Sequence, residues 1–214
     1  MSRNDPRAQH PPASARPRRP PLKRIRLAGV TPMPWKNGGG MTRELLRWPA
    51  SGEWQLRVSV AEIVRSGPFS AYPGVARWFC VLQGPGVMLQ MDADAQGLSL
   101  TPDSPPLHFD GALAPVCTLL GGPTLDLNLM ARQDSGRAEL TRAVAGVPWA
   151  SRAPLRALFT LQATTLRGAG PRARTLAAGT LAVSTDGDGA AWHLDDTGGG
   201  PVAAWWLAYE PHAR

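Results

Sequence analysis

Residues 53–63 read EWQLRVSVAEI, and their alternation decides the fold class. Trp54, Leu56, Val58 and Val60 take every second place; Gln55, Arg57, Ser59 and Ala61 take the others. A period of two puts the first set on one face of a β-strand and the second on the other. The second face is unlike ordinary surface, because one arginine shares it with small residues, which suits a wall needing room beside a charge. The pattern recurs downstream. In TLDLNLMAR (124–132), Leu125, Leu127 and Leu129 alternate with Asp126, Asn128 and Met130. In RWFCVLQG (77–84), Arg77 heads an otherwise apolar strand, and Gly84-Pro85-Gly86 then turns the chain into GVMLQM as a tight hairpin. If such a sheet closes on itself, the polar faces meet in one pocket. The alternative is a solvated outer face on which Arg57 or Arg77 pairs with Asp126.

Composition agrees with an all-β chain. The 214 residues include 23 Gly and 22 Pro, and the apolar runs are short and bounded by turns. No run approaches the ~18 residues that cross a bilayer as a helix, and the N-terminus lacks the apolar core of a secretory signal. A cytoplasmic protein without membrane contact is expected. The net charge of +7 is unevenly placed. Residues 1–26 hold eight basic side chains and one acid, so the remaining 15 basic and 15 acidic residues cancel. Residues 1–22 are therefore read as a disordered basic Pro/Arg-rich leader. It offers nucleic acid a counterion-release contact, but the neutral remainder has no recognition-helix pattern, so nucleic acid is not the expected partner. Cys80 and Cys117 sit in separate apolar runs without C-x-x-C spacing, as buried reduced thiols do.

The stretch TPMPWKNGGGMTRELL (31–46) sets Trp35, Lys36 and Asn37 against three glycines, with Arg43 and Glu44 following. Lys36 precedes the glycines, so this is not a phosphate loop, and no helical pattern follows, so it is not a dinucleotide fingerprint. It reads either as a lip or lid over a site or as a Gly-rich hairpin loop with solvated charges. Beyond Ser135 the signal fades. Ile25–Val30 is expected as a first strand, and Leu155–Leu161, Thr175–Val183 and Ala203–Tyr209 as strands of a second unit. Asp186, Asp188, Asp195 and Asp196 lack calcium-loop spacing and read as turn acids. The expected organisation is a leader (1–22), a first barrel unit (23–134) and a smaller β unit (135–214) packed on it.

Four blocks resemble the HutD/Ves family: WKNGGGMTRE (35–44), LRVSVA (56–61), GPFSAYPGVARWFCVLQG (67–84) and DLNLMAR (126–132). They come in family order and cover roughly residues 31–132. The resemblance implies a double-stranded β-helix of the cupin kind in a bicupin arrangement, and a link to bacterial histidine utilisation. It implies a small-ligand-binding or regulatory protein with no established reaction.

Cupins that use a metal need a His-x-His pair, a third histidine and a carboxylate. Here the histidines are His10, His108, His193 and His212, and none has an i+2 histidine partner. No metal site and no cofactor are expected. Ser59, Ser70, Cys80 and Cys117 lack a sequence-local base, and no catalytic residues are assigned. The leading reading is a metal-independent binding protein for a small anionic metabolite. Its ligand-binding residues are Lys36, Asn37, Glu44, Arg57, Ser59, Arg77 and Asn128, since arginines and amides suit a carboxylate. Through the resemblance, the ligand is a histidine-pathway compound such as urocanate or formylglutamate, and a homodimer is the oligomer considered. The other reading is a metal-free isomerase or hydrolase with Glu44 as base and Lys36 or Arg77 stabilising an anion.

Overall fold

A computed structural model describes residues 21–92, 96–195 and 203–213. The leader lies outside the described residues up to residue 20, as do His10 and Asp196. In chain order the strands are β1 (Lys23–Arg26), β2 (Met33–Pro34), β3 (Gly40–Trp48), β4 (Leu56–Ile63), β5 (Gly67–Pro68) and β6 (Val75–Gln83). There follow β7 (Val87–Gln90), β8 (Leu98–Leu100), β9 (Leu107–Asp110), β10 (Val116–Leu119), β11 (Thr124–Arg132) and β12 (Gly136–Arg142). The last are β13 (Leu155–Thr160), β14 (Thr164–Arg167), β15 (Arg174–Leu176), β16 (Thr180–Ser184), β17 (His193–Leu194) and β18 (Ala204–Pro211). The helix among the described residues is one 3-10 turn, Leu27–Gly29, so no helix among them is long and apolar enough to cross a membrane. The chain is all-β.

The strands form four antiparallel sheets. Six strands run in the order β2-β3-β4-β11-β6-β9, and four in the order β5-β10-β7-β8. From the second half come five strands, β1-β16-β13-β18-β12, and three, β15-β14-β17. Three buried apolar clusters show how they stack. The largest joins Val58, Val60, Cys80, Leu127 and Leu129 of the six-stranded sheet to Leu155, Phe159, Leu181, Trp205 and Leu207 of the five-stranded sheet. A second, with Phe79, Val81, Leu89 and Cys117, lies between the six- and four-stranded sheets. A third, with Leu158, Leu166, Trp192 and Trp206, lies between the five- and three-stranded sheets. The order through the molecule is thus four, six, five and three strands.

This stacking explains the alternation in EWQLRVSVAEI. Leu56, Val58 and Val60 are essentially inaccessible because they face the five-stranded sheet. Burying each contributes about 1.5–3 kcal/mol, enough to set which face turns outward from the first sandwich. Arg57, Ser59 and Ala61 are left facing its interior, towards the four-stranded sheet. Cys80 and Cys117 are free, buried thiols. They belong to different clusters, and burial pushes each thiol up to about 12.

Two expectations change. The strand expected at Ile25–Val30 is instead β1, and the 3-10 turn takes over at Leu27. β1 pairs with β16, so residues preceding the first sandwich complete the sheet of the second half. That edge of β16 has no other strand to pair with among the described residues, and the Leu27 N–H donates to the Gly179 carbonyl at 2.8 Å to hold the segment there. The run Thr175–Val183 becomes two strands in different sheets, β15 and β16. Gly179, at φ +64°, makes the reversal between them in a conformation that L side chains rarely adopt.

Candidate functional site

A cavity of about 600 Å³ opens inside the first sandwich. Its floor is the inner face of β4, β11 and β6, and its rim is formed by residues 33–37 and 68–72. Strand register places the floor residues in rows. Met130 stands opposite Arg57 on one side and Arg77 on the other. Two residues along, Asn128 stands between Ser59 and Phe79, and two further Asp126 stands between Ala61 and Val81. Residues two apart share a strand face, so the chain's polar alternates converge here.

Arg77 is the central charge. It is 6% exposed, and its guanidinium lies 5.1–5.6 Å from the ring centres of Phe69, Tyr72 and Phe109. Nη1 donates to the Ser70 carbonyl at 3.3 Å and Nη2 to Asn128 Oδ1 at 3.2 Å. Its Nε is buried without a partner among the described residues. Asn128 in turn donates through Nδ2 to Asp126 Oδ1. Arg77 and Asp126 form no direct ion pair; the amide stands between them. Asp126 is 1% exposed, and its Oδ2 has no partner among the described residues. Burial pushes the Asp126 carboxyl well above the ordinary range, with Arg77 pulling the other way. Burial likewise lowers Arg77, with Asp126 opposing. For both groups desolvation outweighs an attraction acting through an intervening amide.

Arg57 lies at the other end of the same row. Its Nε donates to Glu44 Oε2 at 2.6 Å, and the guanidinium sits 5.4 Å from the Trp54 ring centre. Both side chains are about one-fifth exposed. Glu44 therefore sits behind the cavity wall as the counter-ion of Arg57, opposite Ser59 on β3. Lys36 and Asn37 stand exposed on the rim. The Asn37 side chain is engaged by its own loop: Oδ1 accepts from the Gly39 N–H at 2.9 Å. The loop is tied down further by Trp35 N–H to the Gly40 carbonyl, Val64 N–H to the Gly39 carbonyl, and Arg65 to the Gly38 carbonyl. Trp35 Nε1 donates to Thr42 Oγ1 at 2.7 Å, and its ring meets Phe69 edge-on. These bonds tie the segment to the sheet at the rim of the cavity.

Six of the seven candidate residues thus line one cavity, and Glu44 touches it only through Arg57. Sequence reading missed the aromatic cage. Phe69 and Tyr72 lie in GPFSAYPG, which reads as turn chemistry, although two aromatics inside a Gly/Pro turn are themselves a signal. It placed Asp126 on the polar face but did not count it among the ligand-binding residues. In the second half, Asp186 and Asp188 do more than end a turn. Both pair with Arg156 Nη2, Asp186 at 2.7 Å, and Arg156 is fully buried 4.8 Å from the Trp192 ring centre. That sandwich is filled by Trp149, Trp192 and Trp206, the first and last stacked 5.1 Å apart. His108 stacks on Trp78 at 4.3 Å and does not line the cavity. Among the described residues no three His, Cys, Asp or Glu side chains are grouped to hold a metal ion.

A family profile described as HutD matches residues 28–202. The chain is 38% identical over 121 residues to an uncharacterized 21.2 kDa protein in the hutC 3' region of Pseudomonas putida. It is 37% identical over 109 residues to protein Ves of Citrobacter koseri. These matches cover 56% and 50% of this chain, and 63% and 56% of the relatives, less than two thirds of their length. Among solved structures, HutD from Pseudomonas fluorescens SBW25 is similar with a TM-score of 0.79 and 25% identity, over 90% of this chain and all of that one. A DUF861 protein from E. coli (TM-score 0.63, 9% identity, 95% of this chain and 96% of that one) shares the fold. So does an oxalate decarboxylase from Lactobacillus farciminis (TM-score 0.58, 10% identity, 88% of this chain and 86% of that one). The architecture is that of the cupins.

Proposed function

The chain belongs to the HutD/Ves family, and from that premise we propose that it is a metal-independent binding protein for a small carboxylate, held in the cavity of the first sandwich. One observation carries this reading. Arg77 is a buried guanidinium beside an open cavity with no carboxylate in contact among the described residues, whereas the buried Arg156 is met by two. A buried charge needs a counter-ion close by, and a ligand carboxylate supplies it. Arginine suits that task because its planar fork meets a carboxylate at two points. Arg57 adds a second cation on the floor, partly neutralised by Glu44, and Lys36 a hydrated one on the rim. Family membership, and the name of the relative beside hutC, support a metabolite of histidine utilisation such as urocanate or formylglutamate. The role is then to modulate that pathway in the cytoplasm. The four-sheet stack supports a bicupin in which the first barrel keeps its cavity while side chains fill the second. Domain limits near 134 and a homodimer belong to the same proposal.

Calorimetry with urocanate and N-formylglutamate tests the reading. Losing one partner of a desolvated pair costs about 2–5 kcal/mol, so Arg77→Ala should weaken binding well over tenfold. Lys36→Ala should weaken it less, because an exposed ammonium stays hydrated. Unchanged affinity in Arg77→Ala would remove the proposal's main residue.

A further inference from the structure

Resting on the carboxylate reading above, we infer that Asp126 is a second recognition point of the same cavity, which selects carboxylates bearing an uncharged hydrogen-bond acceptor, a carbonyl oxygen or a pyridine-type nitrogen. The geometry is specific. Asp126 lies on the cavity floor between Ala61 and Val81. Its Oδ1 is taken by the Asn128 amide, while its Oδ2 is buried with no partner among the described residues. The Asn128 amide is committed in both directions, accepting from Arg77 and donating to Asp126, so it cannot turn to supply the missing bond.

The state of the carboxyl follows from its surroundings. Arg77 on β6 is the cation that acts on it, and the hydrogen bonds between them run through Asn128. Arg57 on β4 already faces Glu44 of β3. Tyr72 of the rim acts on Arg77, and Cys117 of β10 is a protonated thiol. With no cation in contact, a fully buried carboxyl keeps its proton. Oδ2 then carries an O–H with nothing to donate to, which an acceptor on the ligand satisfies. A buried donor that lacks its partner discriminates strongly against analogues without the acceptor. Asp126 stands two residues along β11 from Asn128, about 6–7 Å. The ligand's carboxylate at Arg77 and its acceptor are therefore separated by a short chain or one ring.

The probes are 5-oxohexanoate and hexanoate, which differ only by the ketone, measured by calorimetry against wild type, Asp126→Asn and Asp126→Ala. Wild type should prefer the oxo acid tenfold or more. Asp126→Asn should keep the preference within about threefold, because an amide accepts from Asn128 at its oxygen and donates from its nitrogen. Asp126→Ala should lose it. Equal binding of the two acids to wild type overturns the role of Asp126 and leaves the carboxylate site standing. Loss of the preference in Asp126→Asn as well as in Asp126→Ala shows that a hydrogen-bond donor at this position does not create it, and also overturns the inference. Binding of neither acid to wild type overturns the carboxylate site and this inference together.

Discussion

At the scale of single residues, the molecule treats its two buried arginines in opposite ways. Arg156 has its charges matched by Asp186 and Asp188 from one turn and also donates to the Ala190 carbonyl at 2.7 Å. Removing one of the two carboxylates leaves Asp188 as the sole counter-ion of a buried guanidinium, so Asp186→Ala should lower stability by about 1–3 kcal/mol in denaturant titrations. Arg77 is held instead by one carbonyl, an amide and three ring faces. Asp126 links this arrangement to pH. Its folded value is raised, so between the unfolded value near 4 and the folded value the native chain binds more protons than the unfolded chain. The stability this contributes is complete below about pH 4 and is lost as pH rises through the folded value. Asp126→Asn cannot titrate. Wild type should therefore lose stability relative to Asp126→Asn as pH is raised from 4 to 8, with a slope of up to ~1.4 kcal/mol per unit. A difference independent of pH would mean that the carboxyl is not perturbed.

Among the elements, the glycine-rich stretch and β3 hold the rim at a fixed height above the floor. A Cβ on Gly40 would stand 2.4 Å from the Glu62 carbonyl oxygen, backbone that cannot step aside without breaking the β3–β4 pairing. Gly40→Ala should therefore destabilise by about 1–3 kcal/mol, and should weaken carboxylate binding if the rim shifts with it; unfolding and calorimetry on one preparation measure both. On β3 the register shifts between Glu44 and Leu46. Glu44 faces Arg57 on one side of the shift, while Leu45 and Leu46 both enter the large core. An irregularity of this kind re-aims side chains without ending the strand. The alternation of residues 53–63 and 124–132 showed which residues share a face, and the structure keeps those sets together from Leu56 onward; before β4 begins, Trp54 instead lies against Arg57 and Gln55 meets Tyr209 of the shared core. The bulge has no counterpart in that alternation, because two consecutive leucines fit a core strand as well as a shifted one.

On the scale of the whole molecule, the largest core belongs to neither half alone. Phe159 and Trp205 of the five-stranded sheet pack in one cluster with Val58 and Leu129 of the six-stranded sheet. Phe159→Ala should cost about 3–5 kcal/mol, and the chain should still unfold in one step when followed by Trp fluorescence and by circular dichroism. Separate transitions for the two halves would show that the shared core does not couple them. Sequence by itself determined the all-β class, the face that residues within β4 and β11 take, and the set of polar residues that meet, because these follow from a period of two and local turn chemistry. It could not say what each face meets. The apolar face of Leu56, Val58 and Val60 is buried against the second half of the chain, and the polar face of Arg57, Ser59 and Asn128 lines a cavity. Which partner each arginine finds was likewise decided by tertiary structure: Glu44 for Arg57, an amide bridge to Asp126 for Arg77, and two turn aspartates for Arg156. Strand alternation is a local property of the backbone. Sheet stacking and charge pairing join residues far apart in the chain, and only the closed fold brings them within reach.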